Sequence, residues 1–147
     1  MRIYLVRHGQ AVAGVSDPPL SDTGRDQAQR LARLLEERGG VVRVVHSGRG
    51  RAAETADILS ARLCPDSAPE VVEGVDPNDP PEWFGDRVDL LGDGTAVVTH
   101  LPFVERLAAY LVTGNENGYV ASFDTCTCAC MEKDDDGRWK LAWLEAP

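Results

Sequence analysis

Three short apolar runs of the chain end in residues able to do chemistry. Ile3-Tyr4-Leu5-Val6 leads into Arg7-His8-Gly9; Val41-Val42-Arg43-Val44-Val45 leads into His46-Ser47 and then Gly48-Arg49-Gly50-Arg51; Thr95-Ala96-Val97-Val98-Thr99 leads into His100. All three histidines of the sequence therefore stand at the ends of these runs. A guanidinium is a permanent planar cation that grips phosphate or carboxylate oxygens in pairs, so Arg7 and Arg51 suit a clamp for a dianion. An imidazole attacks only when neutral; its reference pKa is about 6.5, and nearby arginines disfavour the cation. His8 reads as a neutral nucleophile that attacks a clamped phosphorus in line and holds the phosphoryl group covalently. His100 reads as a donor to the equatorial oxygens as charge redistributes. Three histidines also suggest a metal, but two arginines at the same mouth oppose a dication and acidic partners behind the imidazoles are missing. The reading is metal-independent chemistry with no cofactor.

The elements that must position these groups follow from periodicity. A continuous apolar run fits a strand buried on both faces, with Arg7 and His8 at its carboxyl end, where open α/β sheets bind ligands. Gly9 is expected to let the chain turn sharply and approach a ligand closely. Ser21 can cap a helix running to about Arg38, with Ala28, Leu31, Ala32 and Leu35 on one stripe and Gly39-Gly40 as its stop. A second helix starts near Arg49–Arg51, carries Ala52, Ala56, Leu59 and Leu63 inward, and ends at Pro65. From Pro65 to Pro81 the chain holds five of its nine prolines and reads as loop, with Glu70-Val71-Val72 a short strand. Trp83, Phe84, Val88 and Leu91 predict a third helix, ended by Gly92-Asp93-Gly94. Pro102 fits the first turn of a fourth, with Val104, Leu107, Ala108 and Leu111 inward and Thr113-Gly114 at its end. A hairpin closes the pattern: Ser122–Glu132, a turn at Asp134-Asp135-Asp136-Gly137, and Arg138–Leu144, on which Trp139 and Trp143 share a face as core. This order predicts an α/β three-layer sandwich, with a mostly parallel central sheet, helices on both faces and a C-terminal antiparallel hairpin. The parallel strand ends then bring Arg7, His8, Arg51 and His100 to one mouth.

The bulk properties narrow the function. Residues 1–147 suit one domain with one sizeable core. A net charge of −9 argues against nucleic acid as a partner, while a few clustered arginines still set the potential inside a cleft. Met1-Arg2 enters a strand directly, and no apolar run is long enough to span a bilayer, so a cytoplasmic protein without a leader or a membrane partner is expected. Of the four cysteines, Cys126, Cys128 and Cys130 alternate and point to one face of a strand, about 6.6 Å apart. Disulfide Cβ atoms lie about 3.8 Å apart, so neighbours in this row cannot bridge, and buried thiols packing as small apolar residues are expected.

Several blocks together carry a resemblance. Arg7-His8-Gly9 resembles the R-H-G signature of the histidine phosphatase superfamily. Leu20-Ser21-Asp22-Thr23-Gly24 resembles that family's L-[ST]-x-x-G helix start. Ser47-x-x-x-Arg51-Ala52-x-x-Thr55 resembles its S-x-x-x-R-A-x-x-T block, and Thr99-His100 its second histidine. The ordered set spans residues 3–100. The short chain, Val98-Thr99-His100-Leu101-Pro102 and the terminal hairpin look most like SixA-type phosphohistidine phosphatases. The resemblance implies a phosphoglycerate mutase-like fold, His8 as nucleophile, and Arg7, Arg51 and His100 as phosphate-binding groups. Larger relatives carry an acid after the second helix that protonates the leaving oxygen; within Glu70-Val71-Val72-Glu73-Gly74-Val75-Asp76, Glu73 is the nearest candidate. Gly48 stands where the family often has proline, and Arg49 is an extra base, read as a surface charge. His46 is read as a packing or surface residue, and Thr55 as a packing residue.

The resemblance thus implies a phosphatase for phosphohistidine on a signalling or phosphotransfer protein, such as a histidine-containing phosphotransfer domain. The alternatives are a phosphatase for a small phosphomonoester (a sugar or nucleotide phosphate), a mutase, or a phosphate-binding regulatory module that does not turn over. Mutases of the superfamily have insertions that roof the site, and only a Pro-rich loop is available here, so an open mouth is expected.

Overall fold

The computed structural model describes residues 1–147. Its elements are β1 (Arg2–Arg7), α1 (Asp22–Arg38), β2 (Arg43–His46), α2 (Gly50–Leu63), β3 (Glu70–Val71), α3 (Pro81–Gly85), a 3₁₀ turn (Val88–Leu91), β4 (Thr95–Thr99), α4 (Phe103–Thr113), β5 (Cys128–Lys133) and β6 (Trp139–Glu145). The six strands form one sheet in the order β3-β2-β4-β1-β5-β6. β1, β2, β3 and β4 run parallel, while β5 and β6 add an antiparallel edge. Residues of alternating parity along β1 enter two separate cores. Tyr4 and Val6 pack with Leu31, Leu35, Ala56 and Leu59 under α1 and α2. Ile3 and Leu5 pack with Phe84, Phe103 and Leu107 under α3 and α4. Burying each such leucine contributes roughly 1.5–3 kcal/mol, and the two faces together explain why β1 is apolar at every interior position. No helix is long and apolar enough to cross a membrane.

The start of α1 is fixed by its sequence. Ser21 Oγ accepts the Gly24 N–H at 3.0 Å, and Gly39, with φ of 72°, closes the helix by donating its N–H to Leu35 O. Ala28 and Ala32 of α1 and Ala52 and Ala56 of α2 are fully buried, small enough to let the two helices pack closely.

Three expectations are corrected. The third helix is two pieces: α3 stops at Gly85, where a Cβ would come within 2.7 Å of the Tyr110 ring, and the chain resumes as a 3₁₀ turn at Val88. Close packing on α4 selects glycine there, and glycine is a poor helix interior residue. The first hairpin strand begins at Cys128 rather than Ser122, because Cys126 takes φ of 60° and the chain from Phe123 to Thr127 folds across the end of β1. Trp139 and Trp143 do not share a face. Met131 pairs with Leu141 but Cys130 pairs with Trp143, so the bulge at Ala142 sends Trp143 to the α1–α2 core while Trp139 stays on the α4 side.

A Cβ on Gly24 would collide with the carbonyl of Gln10, just past Arg7-His8-Gly9. Gly24→Ala is therefore expected to cost roughly 1–3 kcal/mol by overpacking and to disturb the turn after β1. Urea unfolding checks this; a Cm unchanged from the parent protein would refute it.

Candidate active site

His8 ends β1 and is buried, with its N–H donated to Thr99 O of β4 at 3.0 Å. Its Nδ1 lies 2.7 Å from the Gly9 carbonyl oxygen. A carbonyl can only accept, so Nδ1 carries the proton and Nε2 the lone pair. Arg51 agrees: its Nε donates to His8 Nε2 at 3.2 Å, which requires a lone pair there. The His8 pKa falls to about 4, first because burial penalises the cation, then because of the Arg51 and Arg7 charges, with the Gly9 hydrogen bond opposing the shift. The arginines named from sequence as the cause are thus secondary to burial. His8 is a neutral imidazole with its nucleophilic nitrogen facing a guanidinium.

His100 ends β4, with its ring centroid 5.0 Å from that of His8. Its pKa falls to about 3, through burial and then the charges of His8, Arg51 and Arg49. Nε2 lies 2.6 Å from Ser47 Oγ, and Nδ1 is buried without a partner. An unpaired buried acceptor costs less than an unpaired N–H, so the favoured tautomer has Nε2–H donating to Ser47. That N–H is a donor an incoming oxyanion can take over. Arg7 directs NH1 to Phe123 O at 2.9 Å, and its Nε is buried with no acceptor in the protein. Unsatisfied buried donors are rare and concentrate at functional sites. Arg7, His8, Arg51 and His100 therefore meet at one mouth, as their sequence positions predict.

Several groups hold this constellation. Thr55 Oγ1 accepts the Gly9 N–H at 3.0 Å and donates to Arg51 O at 2.8 Å, tying the turn after His8 to the helix that carries Arg51. Thr55 is thus more than packing. Cys126 N–H reaches the carbonyls of Arg7 and His8 at 3.0 and 3.2 Å. Glu54 accepts the Leu20 N–H, and Asp17 Oδ1 accepts the Gly50 N–H at the start of α2. A Cβ on Gly9 would lie 2.7 Å from Gly24 O, so glycine is needed there for the close contact with α1. Ser47, Phe123 O and Cys126 N were missed as site groups. Only Ser47 had a sequence signal, its place in the S-x-x-x-R-A block.

The structure places Glu73 on the segment after β3. It is exposed, lines an outer cleft with Gly74, Asp79, Pro80 and Trp83, and makes no hydrogen bond to Arg7, His8, Arg51 or His100. Asp76, three residues on, pairs with Arg49 at 3.0 Å. His46 accepts the Gly48 N–H on Nδ1 and supports the turn into α2. Cys126, Cys128 and Cys130 are buried free thiols in the α1–α2 core, and burial pushes Cys126 up to about 12.

A neutral histidine among arginines thus lies at the carboxyl ends of the parallel strands of this α/β fold. Residues 3–75 match the family model described as histidine phosphatase superfamily (branch 1). The solved structure of the protein histidine phosphatase SixA complexed with tungstate superposes with a TM-score of 0.88 at 27% identity, covering 100% of this chain and 97% of that one. A putative phosphohistidine phosphatase SixA from Agrobacterium tumefaciens shares the fold, with a TM-score of 0.77, 20% identity and coverage of 99% and 97%. Over residues 3–75 the chain matches the histidine phosphatase superfamily, which includes phosphatases and mutases, and over its whole length it shares the fold of the SixA structures. A curated relative, the probable phosphoglycerate mutase GpmB of Photorhabdus laumondii subsp. laumondii, is 34% identical over 71 residues, 44% of this chain and 32% of that protein. The matched region thus spans about a third of the curated relatives' length.

Two outcomes follow from this geometry. NMR titration of the imidazoles should give midpoints near 4 for His8 and near 3 for His100. An unfolded histidine binds a proton near 6.5 and the folded one does not, so the unfolded state holds more protons between these values. Stability contributed this way is complete above pH about 6.5 and falls as the pH drops towards 4. A His8 midpoint near 6.5 would refute the assignment. Arg51→Lys is expected to cut kcat/KM by at least about 100-fold and to weaken tungstate inhibition, because a point charge does not reproduce a two-pronged contact. Retention of activity within about threefold would count against the clamp.

Proposed function

We propose that this chain is a metal-independent phosphatase that passes the phosphoryl group through Nε2 of His8, and that its substrate is phosphohistidine on a signalling or phosphotransfer protein, such as a histidine-containing phosphotransfer domain. The observation that carries the reading is the Nδ1–H of His8 held on Gly9 O at 2.7 Å, with Nε2 left as the nucleophile. In the first step the Nε2 lone pair forms a bond to phosphorus while the substrate P–N bond breaks. A substrate imidazole protonated beforehand departs as neutral imidazole. Because Nδ1 of His8 keeps its proton, the phosphorylated ring is a cation, and it too leaves as neutral imidazole when water attacks phosphorus and inorganic phosphate departs. The Gly9 carbonyl is placed to stabilise that cationic intermediate. The transition state is loose, so clamping three equatorial oxygens supplies most of the catalysis, a task suited to Arg7, Arg51 and His100.

The leaving group decides between this substrate and its rivals. An alkyl alkoxide leaves poorly, and a placed acid is worth about 10²–10⁴-fold. Glu73 makes no hydrogen bond or ion pair with the four site residues, which supports P–N over alkyl P–O cleavage. The likeness to SixA supports the same reading. A second reading, a phosphatase or mutase for a small phosphomonoester, draws support from the match to proteins named phosphoglycerate mutase GpmB.

Phosphohistidine protein or phosphoramidate should be hydrolysed at least about 100-fold faster, in kcat/KM, than glycerol phosphate or sugar phosphates. Glu73→Gln should cost less than about threefold on the P–N substrates and more on any alkyl ester turned over. Comparable rates on alkyl esters, or a collapse of P–N hydrolysis in Glu73→Gln, would move the assignment to the phosphomonoester reading with Glu73 as general acid.

A further inference from the structure

Arg49 is a third guanidinium at the mouth, and the phosphoryl chemistry above does not use it. It is the N-cap residue of α2, two positions after Ser47 and two before Arg51, and its N–H points to Ser47 Oγ at 3.4 Å. Its side chain is half-exposed and is held only through Nε, by Asp76 Oδ1 at 3.0 Å. The two terminal nitrogens, which form the outward fork, have no hydrogen-bond partner in the protein. Asp76 is itself half-exposed, on the loop after β3. The Arg49 charge helps hold down protonation of both His100 and Arg51, which places it within electrostatic reach of the pocket.

We propose that Arg49 forms a second anion subsite beside the phosphoryl pocket, which takes a carboxylate carried by the phosphorylated substrate. The subsite rests on the reading of Arg7, His8, Arg51 and His100 as the phosphoryl site. Its chemistry follows from three properties of the residue. A guanidinium fork with free terminal nitrogens matches a carboxylate with two parallel hydrogen bonds. The Arg49–Asp76 pair is exposed on both sides, and such pairs are weak, so a substrate carboxylate can compete with Asp76 or join it. The protein carries a net charge of −9, so an acidic substrate meets overall repulsion, and Arg49 supplies local attraction at the point of entry. The carboxylate belongs either to an acidic side chain next to phosphohistidine on a partner protein or to a small phospho-acid. In both cases Asp76 sets the threshold, because its charge at Nε already offsets part of the Arg49 charge when no carboxylate arrives.

The test is equilibrium binding, which needs no turnover. By calorimetry at low ionic strength, phosphonoacetate, 3-phosphonopropionate and 4-phosphonobutyrate are each compared with the alkyl phosphonate of the same length lacking the carboxylate. A second arm compares peptides bearing a non-hydrolysable phosphohistidine analogue flanked by Glu or by Gln. In at least one arm the carboxylate should tighten binding about three- to tenfold. That difference should vanish in Arg49→Ala, grow in Asp76→Asn and fade in high salt. An effect confined to the short acids identifies a small phospho-acid, and one confined to the Glu peptides identifies a protein partner; either supports the subsite. No carboxylate effect in either arm, or an effect that survives Arg49→Ala, overturns it. Failure of the parent protein to bind tungstate and every phosphonate overturns the phosphoryl pocket, and the subsite with it.

Discussion

The hydrogen bond from His8 Nδ1–H to the carbonyl of its own neighbour, Gly9, is the constraint on which the site depends. A side-chain acceptor in that place could rotate or change its protonation; a backbone carbonyl does neither. It fixes which ring nitrogen holds the proton, and hence which one keeps its lone pair. The rest of the local structure keeps that carbonyl in place. Thr55 holds the Gly9 N–H, Cys126 N–H holds the carbonyls on either side of the His8 Cα, and the backbone of Gly24 abuts Gly9 where a Cβ would stand. Two glycines from distant patterns therefore face each other across the strand-to-helix junction. The helix start and the nucleophile's turn are one packed unit.

Burial does the second part of the work. Putting two imidazoles among three arginines is tolerable because both imidazoles are neutral, and burial and the arginines favour the same neutral form. The form that folding favours is also the one that carries a free lone pair. The acidic surface of the molecule makes no contradiction with this, since Arg7, Arg49 and Arg51 gather near the strand ends while the nearby carboxylates, Asp17 and Asp76, sit on rim loops. In Asp17 the carboxylate serves a helix N-terminus, and in Asp76 it holds a guanidinium by one edge.

What was legible in the sequence was local. Arg7, His8, Arg51 and His100 could be named because each stands at or just after the end of an apolar run, and parallel topology brings such ends together. Ser21 and Gly39 announced the bounds of α1. The errors arose where tertiary contact overrides local pattern. Gly85 breaks a helix whose apolar spacing continues, because Tyr110 needs the space. The bulge at Ala142 reverses the face of Trp143, and nothing in an alternating strand signals it. The supports from Phe123 and Cys126 are main-chain groups, so no side-chain pattern encodes them. The first reaches Arg7 from 116 residues away.

The bulge has an optical consequence. By turning Trp143 away from Trp139, it gives each of the two core layers its own indole. Trp143 lies 5.8 Å from the Tyr4 ring and under the Arg38 guanidinium on the α1–α2 side, whereas Trp139 sits with α4 and near the Lys133 ammonium. The third indole, Trp83, stands in the outer cleft with Arg87 stacked at 4.3 Å. The three indoles of the chain thus occupy three different environments. Emission from single-tryptophan versions of the protein would follow the loosening of one layer, of the other, and of the Pro-rich loop's cleft as separate signals.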